Sequence, residues 1–286
     1  MSIVVNPTIR LLRPHQWLKN LMLFFPLLLS GQWMVKGSWG DGFLAFASFS
    51  LASSATYILN DLADRERDRA HPRKKNRPIA SGLISPSAAR IYAFLLLAAS
   101  FFPAAVLPRG YWLWFAAYLL LSVAYSFFLK NQPVFDIFCI ASGFVFRLFA
   151  GGAVFGVQVS DWLFLTVLLL ALYLSAGKRL AEQNALGQSA SAHRAALRHY
   201  PPGSLDIFMA ISGAAVLVTY TMYVIAKHKL VFTVPLCCFG LFRYFLTVKQ
   251  EGSRGDPTET LLKDPVMFLV GLAWALVVAG SIYWPI

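Results

Sequence analysis

Asn60-Asp61-Leu62-Ala63-Asp64-Arg65-Glu66-Arg67-Asp68 concentrates oxygen ligands in a chain that has only 13 Asp and Glu among 286 residues. A helix carried through this stretch at about 100° per residue sets Asn60, Asp64, Asp68 and Asp61 at about 0°, 40°, 80° and 100°. Four oxygen-bearing side chains then share one face. Converging carboxylates repel unless a cation sits among them, and ligands that are all oxygen suit Mg2+, usually shared with substrate phosphates. The competing reading is a solvated helix end of alternating charge, which Arg65, Glu66, Arg67 and Arg69 also satisfy. A basic run follows at once: His71-Pro72-Arg73-Lys74-Lys75-Asn76-Arg77-Pro78-Ile79-Ala80-Ser81-Gly82. Acids that hold a cation beside bases that hold phosphate oxygens are what a magnesium-bound diphosphate requires. For the basic run alone, the alternative is a positive anchor at a membrane face.

Composition decides what kind of scaffold must position these groups. The chain is 58% hydrophobic and 13% charged, against about 25% charged in a soluble globular protein. That excludes a soluble globular enzyme and a disordered chain. Nine apolar stretches, at about 17–34, 43–60, 89–107, 111–129, 134–155, 161–177, 206–226, 230–248 and 266–284, approach the roughly 20 residues that a membrane helix needs. They lack the alternation of barrel strands, so helices are expected. The expected fold is all-α: a polytopic membrane protein, one domain over residues 1–286, with a bundle of about nine transmembrane helices and long polar loops at about 61–88 and 178–205. Residues 1–20 carry Arg10, Arg13 and Lys19 before any apolar run and show no cleavage pattern, so the first span is expected to stay.

The net charge of +12 sorts by loop: 19 of the 25 Lys and Arg fall on one side of the spans, four on the other and two, Arg147 and Arg243, inside spans. This bias places the N-terminus and both long loops in the cytoplasm of a plasma (inner) membrane. The charge is read as topology with a pull on anionic lipid or phosphate, and no nucleic-acid partner is expected. Cys139, Cys237 and Cys238 all lie in spans without a CxxC or Cys/His pattern, so neither a disulfide framework nor a zinc site is supported.

The pattern N-D-x-x-D-x-x-x-D followed by K-x-x-R-P, at Asn60 to Asp68 and Lys74 to Pro78, resembles the UbiA-type intramembrane prenyltransferase superfamily typified by the 4-hydroxybenzoate polyprenyltransferases. Further residues resemble its decaprenyl-phosphate phosphoribosyltransferase branch. These are Arg13-Pro14-His15-Gln16-Trp17-Leu18-Lys19-Asn20, Asp68 to Pro72, Arg77 to Gly82, Ser142-Gly143-Phe144 with Arg147, Gly151-Gly152, and Gly177-Lys178-Arg179 with Glu182. The resemblance runs from about residue 10 to the end. It implies Mg2+ held by Asn60, Asp61, Asp64 and Asp68, with Asp61, Asp64 and Lys178 as catalytic residues.

Members of the superfamily that move a prenyl diphosphate usually carry a second aspartate motif, D-x-x-x-D, after span six. Here Lys178-Arg179-Leu180-Ala181-Glu182 stands instead. On a helix Lys178 and Glu182 are about 40° apart and Arg179 about 100° from Lys178, so the geometry is kept while the charge changes from about −2 to about +1. That makes a poorer second-metal site and a better phosphate site; the alternative is an ordinary i,i+4 surface pair. The resemblance therefore implies a phosphoribosyl donor, 5-phosphoribosyl 1-diphosphate, and a polyprenyl phosphate acceptor in a setting of membrane lipids. Lys74 and Arg77 would neutralise the diphosphate, joined by Lys178, Arg179 and Glu182. Lys19 and Lys130 are candidates for the incoming phosphate or a donor phosphate, with no assignment between them.

Tyr57 and Tyr125, near Asn60 and Lys130, could hydrogen-bond a donor phosphate, whereas Tyr173 reads as an aromatic-belt anchor. Asp136 and Arg147 are eleven residues apart in span five, about 20° from eclipsed, and point to a polar cavity with Arg147 binding substrate. Gly143, Gly151, Gly152 and Gly156 offer close helix approach, a groove for the prenyl tail or a face for a second copy, hence a homo-oligomer. Two other functions compete. A prenyltransferase using a prenyl diphosphate and an aromatic or other acceptor shares the first motif but expects an acid at Lys178. A transporter or channel accounts for the spans and Arg147 but leaves the paired acidic and basic motifs without a purpose.

Overall fold

Every regular element is helical among the residues that the computed structural model describes, 6–32, 38–72, 74–186, 195–226, 230–250, 260 and 263–283. Arg73 of the basic run and residues 187–194 of the second polar loop lie outside the described residues. In chain order the α-helices are α1 (Pro7–Leu12), α2 (Phe25–Leu29), α3 (Ser38–Ala63), α4 (Arg65–Ala70), α5 (Pro86–Ala104), α6 (Arg109–Phe127), α7 (Phe135–Phe155), α8 (Asp161–Leu186), α9 (Ser204–Ala226), α10 (Val234–Lys249) and α11 (Pro265–Tyr283). Eight helical segments among the described residues are long and apolar enough to cross a membrane. The chain is a multi-pass membrane protein.

The expected first span takes a different form. Pro14–Phe24 winds as a 3-10 helix and continues into the short α2. Pro26 has no N–H to give the Met22 carbonyl, and the Phe25 N–H takes that carbonyl in the tighter pattern. A 3-10 helix rises about 2.0 Å per residue, so Pro14–Phe24 covers about 22 Å. With α2 the stretch reaches about 30 Å, close to the thickness of a hydrocarbon core. Sixteen or so residues thus cover a length for which an α-helix needs about 20, which reconciles nine apolar stretches with eight long helices.

The chain divides into two compact units. The first comprises residues 1–27, 33–131 and 146–158. Its axis is α3, against which α1, the 3-10 segment, α5 and α6 pack. Ala45 and Ala52 keep one face of α3 small, and Phe49 fills the space with edge contacts to Tyr111 and Phe115 at 5.8 and 5.3 Å between ring centres. Gly151 of α7 meets the 3-10 segment so closely that a Cβ would lie 2.0 Å from the Leu23 carbonyl oxygen, so only glycine fits. A second cluster, Leu11, Ile58, Ile79, Ile84, Ala89 and Ala93, ties the first polar loop down. Ile79 and Ile84 plug the loop onto α3 and α5, and Ser85 caps α5 by accepting from the Ala88 N–H at 3.2 Å, with Pro86 in the first turn.

The second unit comprises residues 28–32, 132–145 and 159–286. Here α8 lies along α9, and α10 packs on α8, α9 and α11. Gly177 gives Tyr244 room to cross α8, where its hydroxyl donates to the Leu174 carbonyl at 3.0 Å. Tyr173, read from the sequence as a membrane-surface anchor, is buried instead and donates to the Leu241 carbonyl. Its position near a span end gave the wrong cue because the neighbouring helix covers it. The three cysteines are unpaired.

Candidate active site

The carboxylates lie where α3 ends. The helix does not run through the motif as one piece: α3 stops at Ala63, Asp64 takes φ −97° and ψ 3°, and α4 starts at Arg65. The four side chains, expected to share one face, are drawn apart into two pairs by different bases. Asn60 and Asp64 form one pair, held by Lys130, whose Nζ lies 3.1 Å from Asn60 Oδ1 and 2.8 Å from Asp64 Oδ1. Asp61 and Asp68 form the other, bridged by Arg77 Nη1 at 2.9 Å from Asp61 Oδ1 and 2.6 Å from Asp68 Oδ2. Asp61, 3% exposed, also receives Arg13 Nη2 at 2.6 Å on each oxygen.

Burial pushes the Asp68 carboxyl above the usual carboxylate range; Arg77 opposes that shift, the Asp61 charge adds to it, and Lys74 lowers it. For Arg77 burial works against the charge, but Asp61, Asp68 and Asp64 together outweigh it and hold the guanidinium above its ordinary pKa. Both directions describe charges that depend on one another in partly dry surroundings.

The other bases and rings selected from the sequence lie on several elements of this unit. Lys74 sits half-buried on the short 3-10 turn Lys74–Asn76. Tyr57 lies under Arg13, its ring centre 5.5 Å from the guanidinium carbon. Lys130 is buried on the turn Leu129–Asn131, Tyr125 is half-buried near the end of α6, and Lys19 is half-buried on the 3-10 segment. Deeper in the same unit Arg147 is 4% exposed, donates to Asn20 Oδ1 at 2.7 Å and rests 4.4 Å from the Tyr118 ring centre. Asn20 in turn donates to Ser50 Oγ at 3.0 Å. Sequence reading passed over Arg13 as a site residue. It stands 48 positions from Asp61, and nothing local connects the two.

The second unit holds the other sequence-selected group. Arg179, 1% exposed, donates to Asp136 Oδ2 and to Glu182 Oε2, each at 2.7 Å. Asp136 is fully buried and accepts from Tyr200 Oη at 2.7 Å. The Tyr200 oxygen also accepts from the Val134 N–H at 2.6 Å. Val134 has φ 69°, a left-handed conformation that strains a β-branched residue. Burial and the Asp136 charge keep the Tyr200 phenol protonated by raising its pKa. Arg179, expected to bind phosphate, pairs with two carboxylates in this structure, and Asp136 offsets the positive excess counted from Lys178, Arg179 and Glu182. Lys178 stays half-buried on α8. Asp136 and Arg147, expected to face one polar cavity, each have partners of their own.

Asn60, Asp61, Asp64 and Asp68 offer oxygen donors only, the type that Mg2+ takes. With their carboxylates drawn to separate bases, they form no ready cluster; among the described residues no three His, Cys, Asp or Glu are grouped to hold a metal. The donor chemistry fits, and the arrangement requires the bases to yield.

The described residues form an all-helical membrane protein with acids and bases interlocked at one helix end. Residues 23–272 match the UbiA prenyltransferase family, and the chain belongs to it. It is 31% identical to the decaprenyl-phosphate phosphoribosyltransferase of Mycolicibacterium smegmatis, covering 98% of this chain and 94% of that one. To the protein of the same name from Mycobacterium tuberculosis it is 32% identical, covering 98% and 95%. Among solved structures, a UbiA homolog from Archaeoglobus fulgidus bound to GPP and Mg2+ superposes with a TM-score of 0.75 at 21% identity, covering 97% of this chain and 99% of the other. At that identity the likeness establishes the fold alone.

Proposed function

We propose that this chain transfers 5-phosphoribose from 5-phosphoribosyl 1-diphosphate to a polyprenyl phosphate and releases diphosphate. The near full-length likeness to proteins named decaprenyl-phosphate phosphoribosyltransferase carries this reading. The second polar stretch supports it: with Arg179 neutralised between Asp136 and Glu182, Lys178 stands where a second aspartate pair would be needed for a prenyl diphosphate donor.

Asn60, Asp61, Asp64 and Asp68 would hold Mg2+, which when bound neutralises the leaving diphosphate. Arg77, Lys74 and Lys130 take its remaining oxygens, so charge that develops on the leaving group meets donors already in place. The bond from ribose C1 to the diphosphate oxygen breaks and carries its electron pair away. A lipid phosphate oxygen supplies the pair for the new bond to C1. That phosphate is ionised at neutral pH, so no base is required. Tyr57, Tyr125, Lys19 and Arg147 are proposed to bind substrate, Lys178 to act in transfer, and Arg179 and Glu182 to set its surroundings. The enzyme is proposed to lie in the plasma membrane with its N-terminus and polar loops in the cytoplasm.

Purified protein incubated with Mg2+, phosphoribosyl diphosphate and a polyprenyl phosphate should yield ribosylated lipid and diphosphate in equal amounts. Absence of both products would sink the reading. Product formed instead from a prenyl diphosphate and an aromatic acceptor would establish the prenyltransferase alternative.

A further inference from the structure

The amino-terminal arm brings to the acidic motif a base that the family pattern at residues 60–78 does not contain. α1 ends at Leu12, Arg13 turns through φ 53° and ψ 56°, and Pro14 opens the 3-10 segment. Such a turn is uncommon for a residue with a side chain, and here it is fastened on every side. The Leu12 carbonyl accepts from Ser54 Oγ at 2.8 Å, Trp17 Nε1 donates to that Ser54 Oγ at 3.0 Å, and Arg10 Nη2 reaches the Asn76 carbonyl at 2.7 Å. Leu11 is buried in the cluster with Ile58 and Ile79. The result is a rigid approach that places Arg13 on both oxygens of Asp61 and over the Tyr57 ring.

Asp61 therefore answers to two guanidiniums, Arg13 and Arg77, while Lys130 holds Asp64. Four bases, with Arg67 3.8 Å from Asp64, meet three acids. A divalent cation that arrives alone must displace a base from a nearly buried carboxylate and leave that base without an anion, which is unfavourable. A cation that arrives with a diphosphate offers the displaced guanidinium phosphate oxygens in the same event, in the two-pronged geometry that guanidinium favours.

We propose that Arg13 is a further substrate-binding residue with two successive partners: it competes with the divalent cation for Asp61, then passes to the diphosphate oxygens once the cation takes that carboxylate. The site consequently takes metal together with diphosphate, in preference to metal first. This rests on the acidic motif being a metal–diphosphate site; it does not depend on which group the diphosphate carries.

The test uses full-length purified protein titrated with Mn2+, free ion being followed by electron paramagnetic resonance, without and with inorganic diphosphate, and the Mn2+ taken up by diphosphate alone is subtracted from protein-free titrations. Wild type should bind Mn2+ about tenfold or more tightly in the presence of diphosphate, the scale of one charge-assisted hydrogen bond. Arg13→Gln should bind Mn2+ alone about tenfold more tightly than wild type and lose most of the gain from diphosphate. Tightening is a result that mere damage to the fold would not produce. Arg13→Lys, which keeps the charge without the two-oxygen grip, should fall between them and decides the matter if Arg13→Gln does not fold. Equal Mn2+ affinity in wild type and the folded variants, or weaker binding in the variants, would overturn the role of Arg13. Failure of wild type to bind Mn2+ under either condition would overturn the reading of the acidic motif itself.

Discussion

Asp61 and Asp64 sit about one turn apart yet answer to different bases, Arg13 and Arg77 for one and Lys130 with Arg67 for the other. Replacing either acid by Asn removes the charge of a proposed metal donor and leaves its bases without that carboxylate. Asp61→Asn and Asp64→Asn are each expected to lower turnover at limiting Mg2+ by about a hundredfold or more; near-normal turnover would remove them from the metal site. In the second unit the charges hold structure together. Asp136→Asn or Arg179→Leu breaks a pair in which both partners are at most 1% exposed, and each should lose about 3–5 kcal/mol, read as unfolding of the detergent-purified protein. Tyr200→Phe loses the bond to Asp136 and the acceptor for the Val134 N–H but keeps the ion pair, and should fall short of that loss. That Lys178 and Glu182 share a helix face was legible from their spacing. That Arg179 is committed to Asp136, 43 residues away, was not, because no local pattern specifies a partner on another helix.

At the scale of elements, the spans were readable because burying a helix in lipid demands an apolar run whatever its neighbours do. The 3-10 course of the first span was not, since it depends on backbone hydrogen bonds that differ from the α pattern by one residue, and neither was the break at Asp64, which is a change in the dihedral angles of a single residue. One helix start carries a pH dependence. Asp264 precedes α11 and accepts from the Val266 and Met267 N–H groups at 2.9 and 3.3 Å and from Arg243 Nε at 2.8 Å. The bond from Arg243, with those backbone donors, holds its pKa below the ordinary carboxylate value despite some burial. Its folded pKa is depressed, so the stabilisation is fully present above an unfolded value of about 3.9 and is lost as pH falls through the lower folded one. Wild type should therefore lose stability below about pH 4 by more than Asp264→Asn does, measured as unfolding temperature against pH. Parallel curves for the two proteins would remove Asp264 from that transition.

For the whole molecule, the uneven placement of Lys and Arg predicts its orientation. A cysteine at exposed Lys75, in a background where Cys237 and Cys238 are replaced, should react with a membrane-impermeant reagent only from the cytoplasmic face, and one at exposed Arg109 only from the other. The reverse result would invert the topology. By itself the sequence determined the solvent, the helical class and the family pattern at residues 60–78 with its four oxygen donors. Each follows from composition or from spacing within one helix. Tertiary structure alone decided which base meets which acid: Arg13 with Asp61, Lys130 with Asp64, and Arg179 with Asp136. A buried charge must be matched by a partner in space, and packing of distant segments, not their order along the chain, supplies that partner.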